Sequence, residues 1–147
     1  MTAWLNAMLD SEGRRPVSAT AAATLSVFVG GATLIGATIV VVAVLTWGEA
    51  PWGPAIVALV QVSAGVLLIV GGARLATGAG RGVLFWGIAL ELVTCAIHGW
   101  YAVTAVAADR DDAALVPVLL TIAGTFAVVT VVVLWLALRP AVVWHVS

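Results

Sequence analysis

The chain has 147 residues, 63% hydrophobic and only 9% charged, with a net charge of −1. Soluble domains carry roughly 45–50% apolar and about 25% charged residues, so the main solvent of this surface must be lipid and not water. The six cations and the slightly negative balance also exclude nucleic acid as a partner, because phosphate binding needs clustered Lys and Arg.

All six cations are arginine. With abundant Ala, Val and Gly, that usage points to a high-GC bacterial genome. Cys95 is the single cysteine, so no intrachain disulfide forms, and no Cys/His spacing of a zinc site is present. No metal and no cofactor is expected.

Residues 1–20 form a segment of their own. Trp4, Leu5, Met8 and Leu9 recur at helical spacing, with Asn6, Asp10, Glu12, Arg14 and Arg15 between and after them. Two readings are open: a short helix lying in the membrane interface, or a frayed tail. The apolar run that follows is longer than a signal-peptide core of about 7–15 residues, so it reads as an uncleaved signal anchor.

Charges then punctuate the chain. None lies between Arg15 and Glu49, Glu49 and Arg74, or Asp112 and Arg139, and Glu91 alone lies between Arg81 and Asp109. A membrane helix needs about 20 residues, so each gap is long enough to cross. The spacing predicts four transmembrane helices over about 21–46, 54–76, 83–105 and 115–138, followed by a short tail, 139–147. Buried soluble helices show an amphipathic period, whereas these runs are apolar nearly all round. Barrel strands would alternate strictly over about 9–11 residues, and no such alternation occurs. Helices satisfy their own backbone, which hydrocarbon requires.

The linkers GEAPWG, TGAGRG and DRDDA are short. Short linkers make neighbours antiparallel, so the expected architecture is all-α, an up-down-up-down four-helix bundle. Arg14, Arg15, Arg74, Arg81 and Arg139 fall on one side and Arg110 alone on the other, beside Glu49, Asp109, Asp111 and Asp112. The positive-inside rule then places both termini in the cytoplasm. Trp47 and Trp52 would mark the outer interface, and Trp86, Trp135 and Trp144 the inner one.

Glu91 is the principal candidate for chemistry. It lies near the middle of the third predicted helix, where a charged carboxylate costs at least about 2.5 kcal/mol. That cost predicts a neutral, protonated group unless a partner or a wet cavity is near. Gly87, Glu91, Cys95 and Gly99 stand four apart and form one row, with Thr94 and His98 flanking it. Small residues in such a row admit a neighbouring helix, so Glu91 is expected to face protein. Gln61, the other amide or acid at depth, is its expected hydrogen-bond partner. Two roles follow for Glu91: a neutral carboxyl that fixes helix register, or a proton- or cation-coupling site.

His98 is two turns from Glu91, about 10 Å along the axis, too far for a direct hydrogen bond. It reads either as a satisfied polar residue beside Trp100 and Tyr101 or as part of a proton relay through water. A bis-histidine haem site is not expected, since it needs two facing histidines at similar depth and the second one, His145, lies in the tail. On the first helix Ala22, Ser26 and Gly30, and then Ala32 and Gly36, form small-residue packing rows. Asp109, Asp111 and Asp112 make an acidic turn whose spacing matches no EF-hand. No HExxH, P-loop or GxSxG is present, and no Ser/His/Asp arrangement points to catalysis.

The turn GGARLATGAGRGVLFWGIAL and the Val/Ala/Leu helices around it resemble small, uncharacterised four-helix integral membrane proteins of high-GC bacteria. The resemblance implies inner (plasma) membrane location and multi-pass topology. The chain is also superficially similar to small multidrug transporters, which have four short helices and one intramembrane Glu. In that family the acid belongs to the first helix, whereas here it belongs to the third, so that activity is not carried over. The expected function is a non-enzymatic accessory or scaffold subunit that binds another membrane protein through helix packing. The alternative is a homo-oligomeric proton- or cation-coupled carrier or channel built on Glu91.

Overall fold

The computed structural model describes residues 17–46, 52–106, 113–140 and 142. Helix α1 spans Val17–Thr46, α2 Trp52–Ala76, α3 Gly82–Tyr101 and α4 Val116–Ala137. A π-helical turn, Ala102–Val106, continues α3, and a 3-10 turn, Ala113–Leu115, leads into α4. The first helix begins at Val17, four residues before the expected start. The intervening Val-Ser-Ala-Thr carries neither a charge nor a helix breaker. The expectations for residues 1–16, for Trp47 and Trp144, for the acidic turn at 109–112 and for His145 lie outside the described residues.

Four stretches, Val17–Val42, Pro54–Ala76, Gly82–Thr104 and Ala113–Ala137, are long and apolar enough to cross a membrane. At about 1.5 Å per residue even a 23-residue stretch reaches roughly 35 Å, against a hydrocarbon core of about 30 Å. The chain is therefore a multi-pass membrane protein. Its outward face is made of large apolar side chains, among them Phe28, Ile35, Leu59, Val128 and Val131.

Hydroxyls on the outside of the helices do not seek water. Thr38 donates to the Leu34 carbonyl at 2.8 Å, Ser63 to Leu59 at 2.8 Å, and Thr125 to Thr121 at 2.7 Å. This back-bonding to the preceding turn satisfies a polar atom where lipid offers no partner.

The helices pack in sequence, α1 on α2, α2 on α3 and α3 on α4, and α4 closes against α1. Glycine sets the spacing of the first two seams. A β-carbon built at Gly30 would lie 2.6 Å from the Gly65 carbonyl oxygen, and one at Gly71 would lie 2.5 Å from the Leu84 Cα. Backbone meets backbone there, as small-residue seams in membranes allow. Rising numbers on α1 meet falling numbers on α2: Ser26 meets Gly72, Gly30 meets Gly65, and Gly36 meets Gln61. The same holds for α2 and α3, where Gly71 meets Leu84 and Leu67 meets Gly87.

The link between α2 and α3 is a tight turn. Gly78 and Gly80 take φ of 74° and 104°, in the region where only glycine is unstrained. Arg74 Nη2 donates to the Ala79 carbonyl at 3.1 Å and ties the turn to the end of α2. Beyond α4, the Val142 N–H donates to the Arg139 carbonyl at 2.9 Å, and the Val142 side chain is buried in the core with Ala19, Ala22 and Leu75. The tail expected at 139–147 thus contributes a core residue.

Candidate functional site

Among the described residues, buried polar side chains lie on α1 (Ser26, Thr33), α2 (Gln61), α3 (Glu91, Thr94) and α4 (Thr130). Glu91 is 2% exposed and Thr33 is 2% exposed. The Thr33 hydroxyl donates to Glu91 Oε1 at 2.9 Å, joining α1 to α3. Glu91 Oε2 is buried and has no hydrogen-bond partner among the described residues.

The expected Gln61–Glu91 pair is not formed, and helix register explains why. Gly71 sits against Leu84, and Leu67 and Leu68 sit against Gly87. Continuing that register up the seam puts Ala64, which is fully buried, level with Glu91. Gln61 lies about one turn higher, level with Thr94, and its Nε2 faces Gly36, where an added β-carbon would lie 2.9 Å away. Gln61 Oε1 is buried without a partner, as is the Thr130 hydroxyl of α4. Thr33 and Thr130 are the two buried polar residues that the sequence reading missed. Thr33 left a signal: it is the sole polar side chain between Ser26 and Thr38.

The row Gly87, Glu91, Cys95 and Gly99 does not stay in the seam. Gly87 and Glu91 are buried, but Cys95 and Gly99 are half-buried, and nothing lies within 4 Å of a β-carbon added at Gly99. A step of four residues overshoots the helical period of about 3.6 by some 40° each time. The buried set on α3 follows the true period instead: Leu84, Gly87, Ile88, Glu91 and Thr94.

Beyond Glu91 on α3, Thr94 and His98 each bond back to the backbone of their own helix. The Thr94 hydroxyl donates to the Leu90 carbonyl at 2.9 Å. His98 Nδ1 lies 2.8 Å from the Thr94 carbonyl oxygen. A carbonyl only accepts, so Nδ1 carries the hydrogen in this contact. His98 therefore bonds the backbone, and no direct bond joins it to Glu91.

On α1 the small-residue rows are consumed within the bundle. Ala22 and Ser26 are fully buried, and the Ser26 hydroxyl donates to the Ala23 carbonyl at 2.9 Å. Gly30 lies against Gly65 and Leu68, and Gly36 against Gln61. Two shallow grooves run on the outside, one between α1 and α4 near Ala21 and Leu136, the other between α1 and α2 near Leu45 and Ala58. Glu91 lines neither of them.

Chemically, the site is a set of oxygens held deep in an apolar bundle: a carboxyl with one fixed and one unpartnered oxygen, an amide oxygen one turn away, and hydroxyls from Thr33 and Thr94. Among the described residues, no three His, Cys, Asp or Glu side chains gather where they could hold a metal ion. No family model, curated protein or solved structure matches this chain.

Proposed function

We propose that the protein is a membrane-embedded accessory or scaffold subunit, without catalysis of its own, that binds another membrane protein through its outer helix faces. The observation that carries this reading is the use made of Glu91. The one carboxylate among the described residues ties α1 to α3 through Thr33. The glycine and alanine rows of α1 and α2 are likewise spent on holding the bundle together. A rigid core of this kind leaves the exposed apolar faces for a partner. Helix α4 offers the largest such face, since its buried residues are only Thr130, Val133 and Ala137.

The arginine distribution supports an up-down-up-down arrangement with both termini in the cytoplasm, and the all-arginine, Ala-, Val- and Gly-rich composition supports a bacterial inner membrane. The test is purification from the native membrane in mild detergent, with mass and composition determined. A stoichiometric second protein supports the accessory role; a chain that purifies alone, and whose deletion affects no other complex, refutes it.

A second reading rests on a different observation. Glu91 Oε2 and Gln61 Oε1 are both buried and unpartnered about one turn apart. An oxygen pair of that kind suits a proton- or cation-coupled homo-oligomeric carrier. A clean homo-oligomer whose transport is lost on Glu91→Gln would favour it over the scaffold reading.

A further inference from the structure

Three arginines, Arg74, Arg81 and Arg139, flank the helix ends on one side of the described structure. The only carboxylate among the described residues is Glu91, buried far from them, so no acidic partner there neutralises these cations. Their local contacts differ. Arg74 donates to the carbonyl of its own turn. Arg81 Nη1 reaches the Ala137 carbonyl at the end of α4 at 3.4 Å, and its Cζ lies 5.4 Å from the Phe85 ring centroid. The Arg139 guanidinium stacks on Trp135, with Cζ 3.6 Å from the ring centroid.

Beside that stacked pair runs the groove between α1 and α4. Val17 and Ala21 form one wall, Trp135 and Leu136 the other, and Arg139 and Ser18 also line it. We propose that this groove holds an acyl chain of one anionic phospholipid, whose phosphate is bound by Arg139.

Depth supports it. Arg139 lies two residues beyond the apolar stretch Ala113–Ala137, where phosphates meet the hydrocarbon. Trp135 is the residue type that sits at this level. Stacking occupies one face of the guanidinium, the N–H groups in its plane have no partner among the described residues, and a planar fork of donors matches two phosphate oxygens. The groove walls are mostly apolar, as a bound acyl chain requires. Charge selects the headgroup: the Arg81 guanidinium reaches from the start of α3 to the end of α4, so a zwitterionic lipid would bring its own cation into a positive field, whereas an anionic one would not.

The test is native mass spectrometry of the full chain in mild non-ionic detergent. It is titrated with phosphatidylglycerol or with phosphatidylcholine of the same acyl chains. The expected result is one tightly held phosphatidylglycerol, favoured about fivefold or more over phosphatidylcholine. Arg139→Gln, at an exposed position outside the core, should bring the two lipids to near-equal binding. Arg74→Gln should leave the preference intact, because that guanidinium is tied to Ala79. Ala21→Leu should weaken both lipids by filling the groove. The proposal is overturned if Arg139→Gln keeps the full preference, or if Arg74→Gln abolishes it equally, which would mean diffuse charge and no site. It is also overturned if millimolar inorganic phosphate displaces the lipid completely, or if a second protein chain protects the groove from lipid.

Discussion

Thr33 and Glu91 stand 58 residues apart in the chain and meet through a 2.9 Å hydrogen bond deep inside the bundle. The bond joins α1 to α3, two helices that do not follow one another in the chain. Removing the donor with the near-isosteric Thr33→Val leaves both carboxyl oxygens of Glu91 without a partner. Interhelical hydrogen bonds in membranes average about 0.6 kcal/mol and reach about 1.7, while an orphaned buried polar group costs about 1–3 kcal/mol. The expected loss is about 1–2 kcal/mol, read by reversible unfolding in mixed micelles. Glu91→Gln keeps an oxygen that can accept from Thr33 and should cost less than about 1 kcal/mol on the same grounds. A double-mutant cycle with no coupling between the two sites would show that this bond does not hold the helices.

The α2–α3 seam makes a sharper prediction, because its neighbour cannot yield. A β-carbon at Gly71 would meet the Cα and N of Leu84, at 2.5 Å and 2.6 Å. These are backbone atoms, so Gly71→Ala must push the helices apart, at a cost of about 1–3 kcal/mol typical of overpacking. Gly31→Ala is the control, since nothing lies within 4 Å of its added carbon. There alanine should be neutral or stabilising by up to about 1 kcal/mol, the difference in helix propensity. Equal effects of the two substitutions would remove the close approach as the determinant of this seam.

His98 supplies a spectroscopic prediction. Its Nδ1 faces the Thr94 carbonyl oxygen at 2.8 Å, an atom that cannot donate. The neutral ring should therefore be the Nδ1–H tautomer, with Nε2 carrying the lone pair. Nitrogen-15 shifts of selectively labelled protein in bilayers report this directly. An Nε2–H tautomer would mean that the ring has turned away from the helix backbone.

The four helices were legible because charge is costly in hydrocarbon: the gaps between charged residues mark the spans. The burial of Glu91 was legible for the same reason, since a carboxyl at that depth seeks protein. Its partner was not. Sequence spacing places residues on a face of their own helix, but the level at which two helices meet is set by the glycines in the seam. Gly71 against Leu84 and Gly87 against Leu67 bring Ala64 level with Glu91 and lift Gln61 by a turn. The step-of-four row to Cys95 and Gly99 failed through the same geometry, because small angular errors accumulate along a helix. The small-residue rows of α1 could be recognised, but whether they served the bundle or a partner depended on what α2 presented to them.

The proposed scaffold role can be tested on α4. Its first half contributes no buried residue, and Ile122 and Val128 are 52% and 63% exposed. A β-carbon added at Gly124 would meet nothing within 4 Å. Gly124→Phe should therefore leave the bundle's own unfolding free energy within about 0.5 kcal/mol of wild type, as expected for a surface change. If a partner helix packs on this face, the same substitution blocks its approach, and recovery of the second protein on purification should fall at least about tenfold, the effect of about 1.4 kcal/mol. Thr130→Val, on the buried side of the same helix, should leave recovery unchanged. A Gly124→Phe variant that still retains its partner in full would move the interface off α4, while loss of the partner from both variants would mean that binding depends on the bundle's integrity and not on its outer face.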